Sequence, residues 1–168
     1  MECVYRYDSP LGGILITSEK DSLTGLYFEG EKDSSSYEGR VSPAIENAVK
    51  WLDIYFEGRD PGEIPDVKMK GSPFEEEVWE ILKEIPYGNT VTYGDIAKKI
   101  AEKRGIKKMS AQAVGQAVGK NPVSIMVPCH RVVGNKGKLT GYGGGIWRKK
   151  ALLELEERGH SDIMRIHE

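Results

Sequence analysis

A cysteine and a histidine stand side by side in the apolar run 125–133 (IMVPCHRVV), where Cys129 precedes His130. A cysteine in such a run is most often an inert buried residue. The adjacent imidazole and the positive charge of Arg131 favour the thiolate, the form of cysteine that attacks carbon. Neighbouring side chains of an extended chain point to opposite faces, so contact within this pair needs a backbone turn or a water that relays the proton. The motif leaves both a reactive and a structural cysteine open.

A histidine that serves as a base needs a third group to fix its tautomer. The acidic candidates lie among leucines on the last predicted helix, at Glu154, Glu156 and Glu157. Spacing alone does not show which of the three contacts the histidine. The alternative is that all three glutamates lie on a solvated helix face.

Charge is unevenly distributed along the chain. Residues 83–150 carry 14 Lys or Arg against 3 Asp or Glu, whereas the remainder carries 10 against 23. A basic block in an acidic chain indicates a face that binds a polyanion such as DNA; a solvated surface without a ligand is the alternative. The basic residues that we expect to contact phosphate are Lys98, Lys99, Lys103, Arg104, Lys107, Lys108 and those of the loop 135–138.

Composition excludes several classes of protein. With 168 residues, of which 39% are apolar, the chain can bury a core, which argues against wholesale disorder. No window approaches the roughly 18 continuous apolar residues of a membrane helix, and the N-terminus lacks a signal-peptide block. Two cysteines do not make a disulfide scaffold, and no Cys/His cluster has zinc-ligand spacing. We expect a cytoplasmic monomer without a metal and without a membrane contact.

The first part of the chain alternates apolar and polar residues in short segments rich in β-forming types. These segments predict an antiparallel meander of three strands, at residues 3–7, 13–17 and 23–28. The polar stretch 29–39 predicts a loop.

One helix follows this meander. Ser42 and Pro43 are the residue types of an N-cap and a first helical position, and they predict a helix over 44–56. With the linker 60–71, these elements form a small α/β unit over residues 1–71. The inward face of the helix would carry Ile45, Val49, Leu52 and Phe56.

The rest of the chain has the element order of a winged helix-turn-helix domain, over residues 72–168. Ser72 and Glu75 have the spacing of a capping box at the start of its first helix, and Gly159 would close the last helix. The predicted elements are helices at 72–85, 92–100, 110–119 and 146–158, a basic loop at 102–108, and a hairpin tip at 134–141.

The recognition helix of this domain, 110–119, has unusual chemistry. Its outward positions are Ala111, Gln112, Gly115 and Gln116, whereas a major-groove reader presents several long polar or basic side chains. Small residues suit a narrow minor groove and weak sequence preference, and equally suit close helix packing inside the protein.

Several spaced motifs together resemble the O6-alkylguanine-DNA alkyltransferase family. The resemblance is close over residues 72–159, and over 1–71 it is architectural only. It implies an α+β fold, with an N-terminal ribonuclease H-like sheet plus helix and a C-terminal winged helix-turn-helix domain. The matching segments are Thr92-Tyr93, Ser110-Ala111, Ala113-Val114-Gly115, Asn121-Pro122, 128–132 (PCHRV), 141–145 (GYGGG) and Glu156.

The resemblance implies a catalytic role for five residues. Cys129 would accept the alkyl group, and His130 would draw the thiol proton through water. Glu156 would orient His130, and Asn121 would bridge the helix-turn-helix to the active-site segment. Tyr93 would donate from its hydroxyl to the guanine ring.

It also implies contacts to the base and to DNA. The backbone N–H of Gly143 would donate toward O6, the carbonyls of Cys129 and Val132 would accept from the exocyclic amine, and Tyr142 would wall the pocket. The further DNA contacts would come from Ser110, Gln112, Gly115, Arg131 and Asn135.

The implied function is DNA repair: one irreversible transfer of a methyl or small alkyl group from O6-alkylguanine in double-stranded DNA to Cys129. The resemblance leaves O4-alkylthymine open as a second substrate. The base would be flipped out through the minor groove, and no cofactor is needed because the protein is the acceptor. One position departs from the family, since Gln112 stands where an arginine usually fills the space of the extruded base. We expect slower flipping and unchanged transfer chemistry.

Two other functions compete with this interpretation. A winged-helix module without chemistry, like the alkyltransferase-like proteins, would bind alkylated DNA and form no adduct; Cys129 argues against it. A Cys-His-Glu hydrolase would turn over repeatedly, and the basic helix-turn-helix argues against that.

Overall fold

A computed structural model describes residues 2–30 and 41–166, with side chains described up to residue 159. The chain opens with an antiparallel sheet in the order β1-β2-β3, as the alternating pattern predicts. The predicted loop 29–39 lies outside the described residues, apart from its first two positions. The strands are β1 (Glu2–Ser9), β2 (Gly12–Glu19) and β3 (Ser22–Phe28).

Helix α1 (Pro43–Phe56) packs on this sheet and begins as predicted, because the Ser42 side chain accepts a hydrogen bond from the Ile45 N–H. The predicted inward face is partly wrong. Val49 and Phe56 are only half-buried, and the buried aromatic residues are Trp51 and Tyr55, whose rings stack 5.4 Å apart. The face is rotated because α1 contacts the second half of the chain as well as the sheet.

The helix-turn-helix consists of α3 (Tyr93–Arg104) and α4 (Ala111–Gly119), and α2 (Pro73–Lys83) packs against α4. The capping box predicted for α2 is present. Helix α3 runs into the predicted basic loop and ends where Gly105 adopts a left-handed conformation with φ of 67°. The Trp79 indole N–H donates to the Ala117 carbonyl at 2.9 Å and so joins α2 to α4.

The predicted hairpin at 134–141 is wrong in its details. The two-residue strands β4 (Val91–Thr92) and β5 (Val132–Val133) pair in parallel with each other. The chain after β5 is a tight loop closed by the Gly134 N–H on the Lys138 carbonyl at 2.7 Å. Lys136 and Gly137 have φ of 60° and 78°, and two successive left-handed residues curl the chain away from an extended arm.

The last helix, α5 (Ile146–Ile166), does not stop at Gly159. A Cβ at this position would overlap the Gly58 carbonyl and the Tyr87 hydroxyl. Gly159 therefore permits close approach of α5 to the end of α1, and it is not a helix terminator.

A single apolar core joins the two halves of the chain, so this is a mixed α+β fold with a small N-terminal sheet and a helical C-terminal domain, as predicted. Strand β3 forms isolated parallel bridges from Leu23 to Val67 of the linker and from Leu26 to Val123. The segment that leads to Cys129 is thus hydrogen-bonded to the N-terminal sheet. None of the helices in the described ranges is long and apolar enough to cross a bilayer.

Candidate active site

Cys129, His130 and Arg131 form one turn of 3₁₀ helix, which is the backbone turn that contact within the motif requires. The turn follows a strained segment, since the buried β-branched residue Ile125 has φ of +70°. Asn121 supports this segment: its side-chain amide donates to the Val127 carbonyl at 2.8 Å, and its carbonyl oxygen accepts from the Val123 N–H at 3.0 Å. Asn121 therefore bridges the end of α4 to the active-site segment.

A cavity of about 200 Å³ opens at Cys129, whose residue exposure of 8% leaves its surface only a narrow access. Cavities for drug-sized ligands are about 300–1,000 Å³, so this one suits a smaller group such as a single ring system. Neither cysteine of the chain is in a disulfide. The predicted site residues that line the cavity are Tyr93, Gly115, Asn121, Cys129, Tyr142 and Gly143.

A larger groove, of about 630 Å³, lies along the outward face of α4. All four residues predicted to face outward from α4 line this groove, together with Asn135: Ala111, Gln112, Gly115 and Gln116. Tyr93 and Gly115 line both the groove and the Cys129 cavity, so the two spaces adjoin at this pair. A Cβ at Gly115 would meet the Tyr93 ring at 3.6 Å, an ordinary contact, so internal packing does not explain the glycine.

The carboxylate of Glu156 is the third group of the site. Glu154 and Glu157 are exposed, whereas Glu156 is 1% exposed and contacts His130 Nε2 through its Oε2 atom. Its Oε1 atom accepts from the Arg131 Nε–H at 2.7 Å and from the Gly88 N–H at 3.1 Å. Burial separates these glutamates where their sequence spacing could not.

Protonation states follow from this geometry. Burial lowers the pKa of His130, and Glu156 only partly opposes the shift, so the imidazole is neutral near pH 7. Burial raises the pKa of Glu156, but the hydrogen bonds from His130 and Arg131 and the positive charge of Arg131 outweigh it and hold this pKa well below its usual range. A carboxylate only accepts, so the proton of neutral His130 lies on Nε2 and its Nδ1 lone pair remains as a base. No atom in the described ranges hydrogen-bonds to Nδ1.

Arg131, expected to contact DNA, lies inside the protein instead. Its guanidinium is bound by Glu156 and by the Ile85 carbonyl, at 2.6 Å from Nη1, and the residue is 7% exposed. The buried carboxylate draws the guanidinium inward, where it cannot reach phosphate. Val132 is buried in β5 and does not line the Cys129 cavity. Ser110 caps α4 by accepting from the Ala113 N–H at 3.1 Å.

Two residues of the site escaped the sequence analysis. The Tyr55 hydroxyl donates to Glu156 Oε2 at 2.6 Å from the N-terminal half of the chain, and no short-range signal connects positions 101 residues apart. Lys149 is fully buried, and its ammonium donates to the Thr140 carbonyl at 2.7 Å. Burial lowers the pKa of Lys149, while its interaction with Cys129 opposes this shift. The sequence could have indicated this residue, because Lys149 lies two helical turns before Glu156 and therefore on the same face of the last helix.

The basic residues expected to contact phosphate are all exposed. Two of them are paired with acids of α2 or its end: Lys99 with Glu84, and Arg104 with Glu77 at 3.0 Å. Within the described part of the chain, the others have no ion pair and remain available to an anion: Lys98, Lys103, Lys107, Lys108, Lys136 and Lys138.

Fold and site together define a class of protein: a helix-turn-helix domain with a thiol cavity beside its second helix, backed by a sheet-and-helix domain. The model described as 6-O-methylguanine DNA methyltransferase, DNA binding domain, matches residues 73–158. The model described as its ribonuclease-like domain matches residues 4–64. The chain belongs to the 6-O-methylguanine DNA methyltransferase family, and the resemblance of its motifs is confirmed.

Individual relatives agree with this membership. Methylated-DNA–protein-cysteine methyltransferase of Mycobacterium tuberculosis is 43% identical over 159 residues, which cover 93% of each chain. The protein of that name from Haemophilus influenzae is 37% identical, over 93% of this chain and 87% of its own. A crystal structure of Mycobacterium tuberculosis OGT in complex with DNA has a TM-score of 0.80 and 41% identity, over 92% of each chain.

Proposed function

We propose that the protein repairs DNA by transferring one methyl or small alkyl group from O6-alkylguanine to Cys129. The observation that carries the proposal is the thiol cavity that adjoins the groove along α4 at Tyr93 and Gly115. When a DNA duplex is bound in the groove, a base flipped out of it would pass between Tyr93 and Gly115 to reach the thiol. Membership of the family supports the same reaction.

The chemical step balances without a cofactor. His130 Nδ1 takes the thiol proton through water, and the thiolate of Cys129 attacks the alkyl carbon. A carbon–sulfur bond forms as the carbon–O6 bond breaks, with its electron pair left on the guanine, which finally takes up a proton. The thioether has no easy return route, so each molecule reacts once. Glu156 orients His130, and the buried ammonium of Lys149 favours the thiolate.

The leaving guanine anion needs hydrogen-bond donors at its ring and at O6. We propose the Tyr93 hydroxyl for the ring and the Gly143 N–H for O6; both residues line the cavity. The Cys129 carbonyl would accept from the exocyclic amine, and Tyr142, which also lines the cavity, would hold the alkyl group near sulfur. Loss of one such donor in other enzymes costs about 3–4 kcal/mol, which sets the scale for Tyr93.

DNA would be bound in the groove along α4, with the minor groove facing the small residues. Rotating the base out of the duplex costs a few kcal/mol, and exposed lysines on phosphate can offset this cost. Gln112, which lines the groove, would contact the orphaned cytosine, with Ser110 and Asn135 beside it. Binding should weaken with salt and show little sequence preference.

The remaining features of the proposal concern organisation. The protein would act on double-stranded DNA as a monomer, because all of the proposed reacting groups come from one chain. We place this activity in the cytoplasm, without membrane contact. Residues 1–71 would form an N-terminal domain with its linker, and residues 72–168 the DNA-binding and active-site domain.

The proposed reaction is tested by label transfer from duplex DNA that contains O6-methylguanine with a labelled methyl group. We expect one equivalent of label in the protein, no turnover, and no label in Cys129→Ser. Repeated turnover would indicate a hydrolase, and tight binding without label would indicate a DNA-binding module; either outcome overturns the proposal.

A further inference from the structure

The N-terminal half of the chain places one polar group in the catalytic network. Tyr55 of α1 is fully buried, and its hydroxyl donates to Glu156 Oε2 at 2.6 Å, the same oxygen that contacts His130 Nε2. The hydroxyl lies 3.5 Å from His130 Nε2. One carboxylate oxygen is therefore shared between a phenol and the catalytic imidazole.

Packing fixes the Tyr55 ring in this place. It stacks on Trp51 of the same helix and meets His130 edge-on, with ring centroids 6.5 Å apart and planes at 80°. Tyr87 meets it edge-on from another side, at 6.2 Å. Rings held on three sides leave the hydroxyl little freedom, so its hydrogen bond is pre-organised.

We propose that Tyr55 is a positioning residue for alkyl transfer, which holds Glu156 Oε2 against His130 Nε2 and withdraws part of the carboxylate's charge from the imidazole. The inference rests on the proposed function. It also gives the N-terminal domain a part in the chemistry, beyond structural support.

The direction of the effect follows from the shared oxygen. A carboxylate that accepts from Tyr55 stabilises a proton on His130 less than a carboxylate without this donor does. The neutral imidazole, whose Nδ1 serves as the base, is favoured accordingly. Burial and the neighbouring Glu156 raise the pKa of Tyr55 well above its usual value, so the phenol keeps its proton and remains a donor.

Other charged and titratable groups act on the same imidazole. Burial, the Arg131 charge and the Lys149 charge lower the pKa of His130, and Glu156 raises it. Tyr87 packs against Tyr55 and stays protonated, because burial raises its pKa to about 12. Removal of the Tyr55 hydroxyl leaves the Arg131, Lys149 and Tyr87 groups in place and changes only the charge that Glu156 presents to the imidazole, so a shift in His130 titration reports on that hydroxyl.

The test compares Tyr55→Phe with Tyr7→Phe in the full chain. Tyr7 is a matched control, because its hydroxyl donates to Asp53 of α1 at 2.7 Å and the residue neither lines the Cys129 cavity nor bonds to Glu156. Two quantities are measured: the NMR titration midpoint of His130 in DNA-free protein, and the pH profile of single-turnover transfer from O6-methylguanine DNA. We expect Tyr55→Phe to raise both the midpoint and the acidic limb of the profile by about one pH unit.

The transfer rate of this variant should fall about tenfold on the acidic limb and approach the wild-type rate at high pH. The half-saturating DNA concentration should stay unchanged, which distinguishes an effect on His130, the catalytic base, from an effect on DNA binding. Tyr7→Phe should move neither quantity. Fluorotyrosine at position 55, a stronger donor in an almost unchanged shape, should shift the His130 midpoint downward.

An unchanged His130 midpoint in Tyr55→Phe, or an equal shift in Tyr7→Phe, overturns the proposal. If Tyr55→Phe does not fold, the fluorotyrosine protein decides alone, and an unshifted or upward midpoint contradicts the inference. The NMR titration needs no alkylated DNA. Failure of the proposed function would therefore appear as absent transfer in wild type, and failure of this inference as an unmoved midpoint.

Discussion

The substitution Glu156→Gln removes one charge from the buried network and replaces the Oε2 acceptor, which faces His130 and Tyr55, by an NH₂ donor. The Oε1 position faces two groups that can only donate, the Arg131 Nε–H and the Gly88 N–H. The glutamine must place its carbonyl oxygen there, and its NH₂ group then points at His130 Nε2. Since Nε2 must now accept, the histidine proton moves to Nδ1, the nitrogen that has to serve as the base.

The size of the effect has two parts. Asparagine in place of the orienting aspartate of a serine protease imposes the wrong histidine tautomer and lowers the rate about 10⁴-fold. Here a water would relay the proton, and we expect a loss on the order of 10³-fold in the transfer rate by analogy. The substitution also leaves the Arg131 charge buried and unpaired, and breaking a buried pair in this way costs about 3–5 kcal/mol of unfolding free energy.

Single-turnover transfer from O6-methylguanine duplex DNA measures the rate, and urea unfolding measures the stability. Glu157→Gln is the control, because this neighbour on α5 is exposed and should leave both quantities near wild type. A Glu156→Gln protein that is folded and transfers the methyl group at the wild-type rate would refute the tautomer argument.

Three further predictions follow from individual residues. Gly115→Ala should raise the unfolding free energy by up to about 1 kcal/mol, because alanine is the better helix former and its Cβ fits against Tyr93, yet should slow transfer by narrowing the entrance; equal transfer rates would contradict this. Gln112→Arg should speed transfer from duplex DNA at saturation and leave the reaction with the free alkylated base unchanged, and a gain on both substrates would contradict a role in flipping. The pKa of His130 is lowered on folding, so the unfolded state binds more protons and urea stability should fall as pH drops through about 6.5, by at most about 1.4 kcal/mol per pH unit. His130→Gln should flatten this window; an identical pH profile in the variant would contradict the assignment.

The sequence predicts those helix starts and strands whose signals lie within a few neighbouring residues. Ser42 and Ser72 each cap the helix that their type and spacing predict. The meander was predicted because two-residue alternation needs no distant partner. The predicted hairpin at 134–141 is wrong in its details, because glycine and lysine in a turn do not reveal that the preceding strand β5 pairs in parallel with β4.

The sequence motif of the site could be predicted, whereas the burial and long-range contacts of its residues could not. The pair Cys129-His130 stands out in the sequence as a candidate for chemistry, although its spacing leaves a structural cysteine open. Glu156 cannot be told from its neighbours without knowledge of its burial. The contact of Tyr55 with Glu156 joins helices α1 and α5, 101 residues apart along the chain, and no local sequence pattern indicates it. Arg131 illustrates the same limit, because a basic residue in a basic block turned inward to a buried acid.

The central claim, that Cys129 keeps the alkyl carbon, is tested most directly by intact mass spectrometry after incubation with O6-methylguanine duplex DNA. The account predicts that the protein gains the mass of one methylene group once, that peptide mapping places it on Cys129, and that excess DNA adds no more. An unchanged mass, or a modification carried by Cys3 or any other residue, would contradict it.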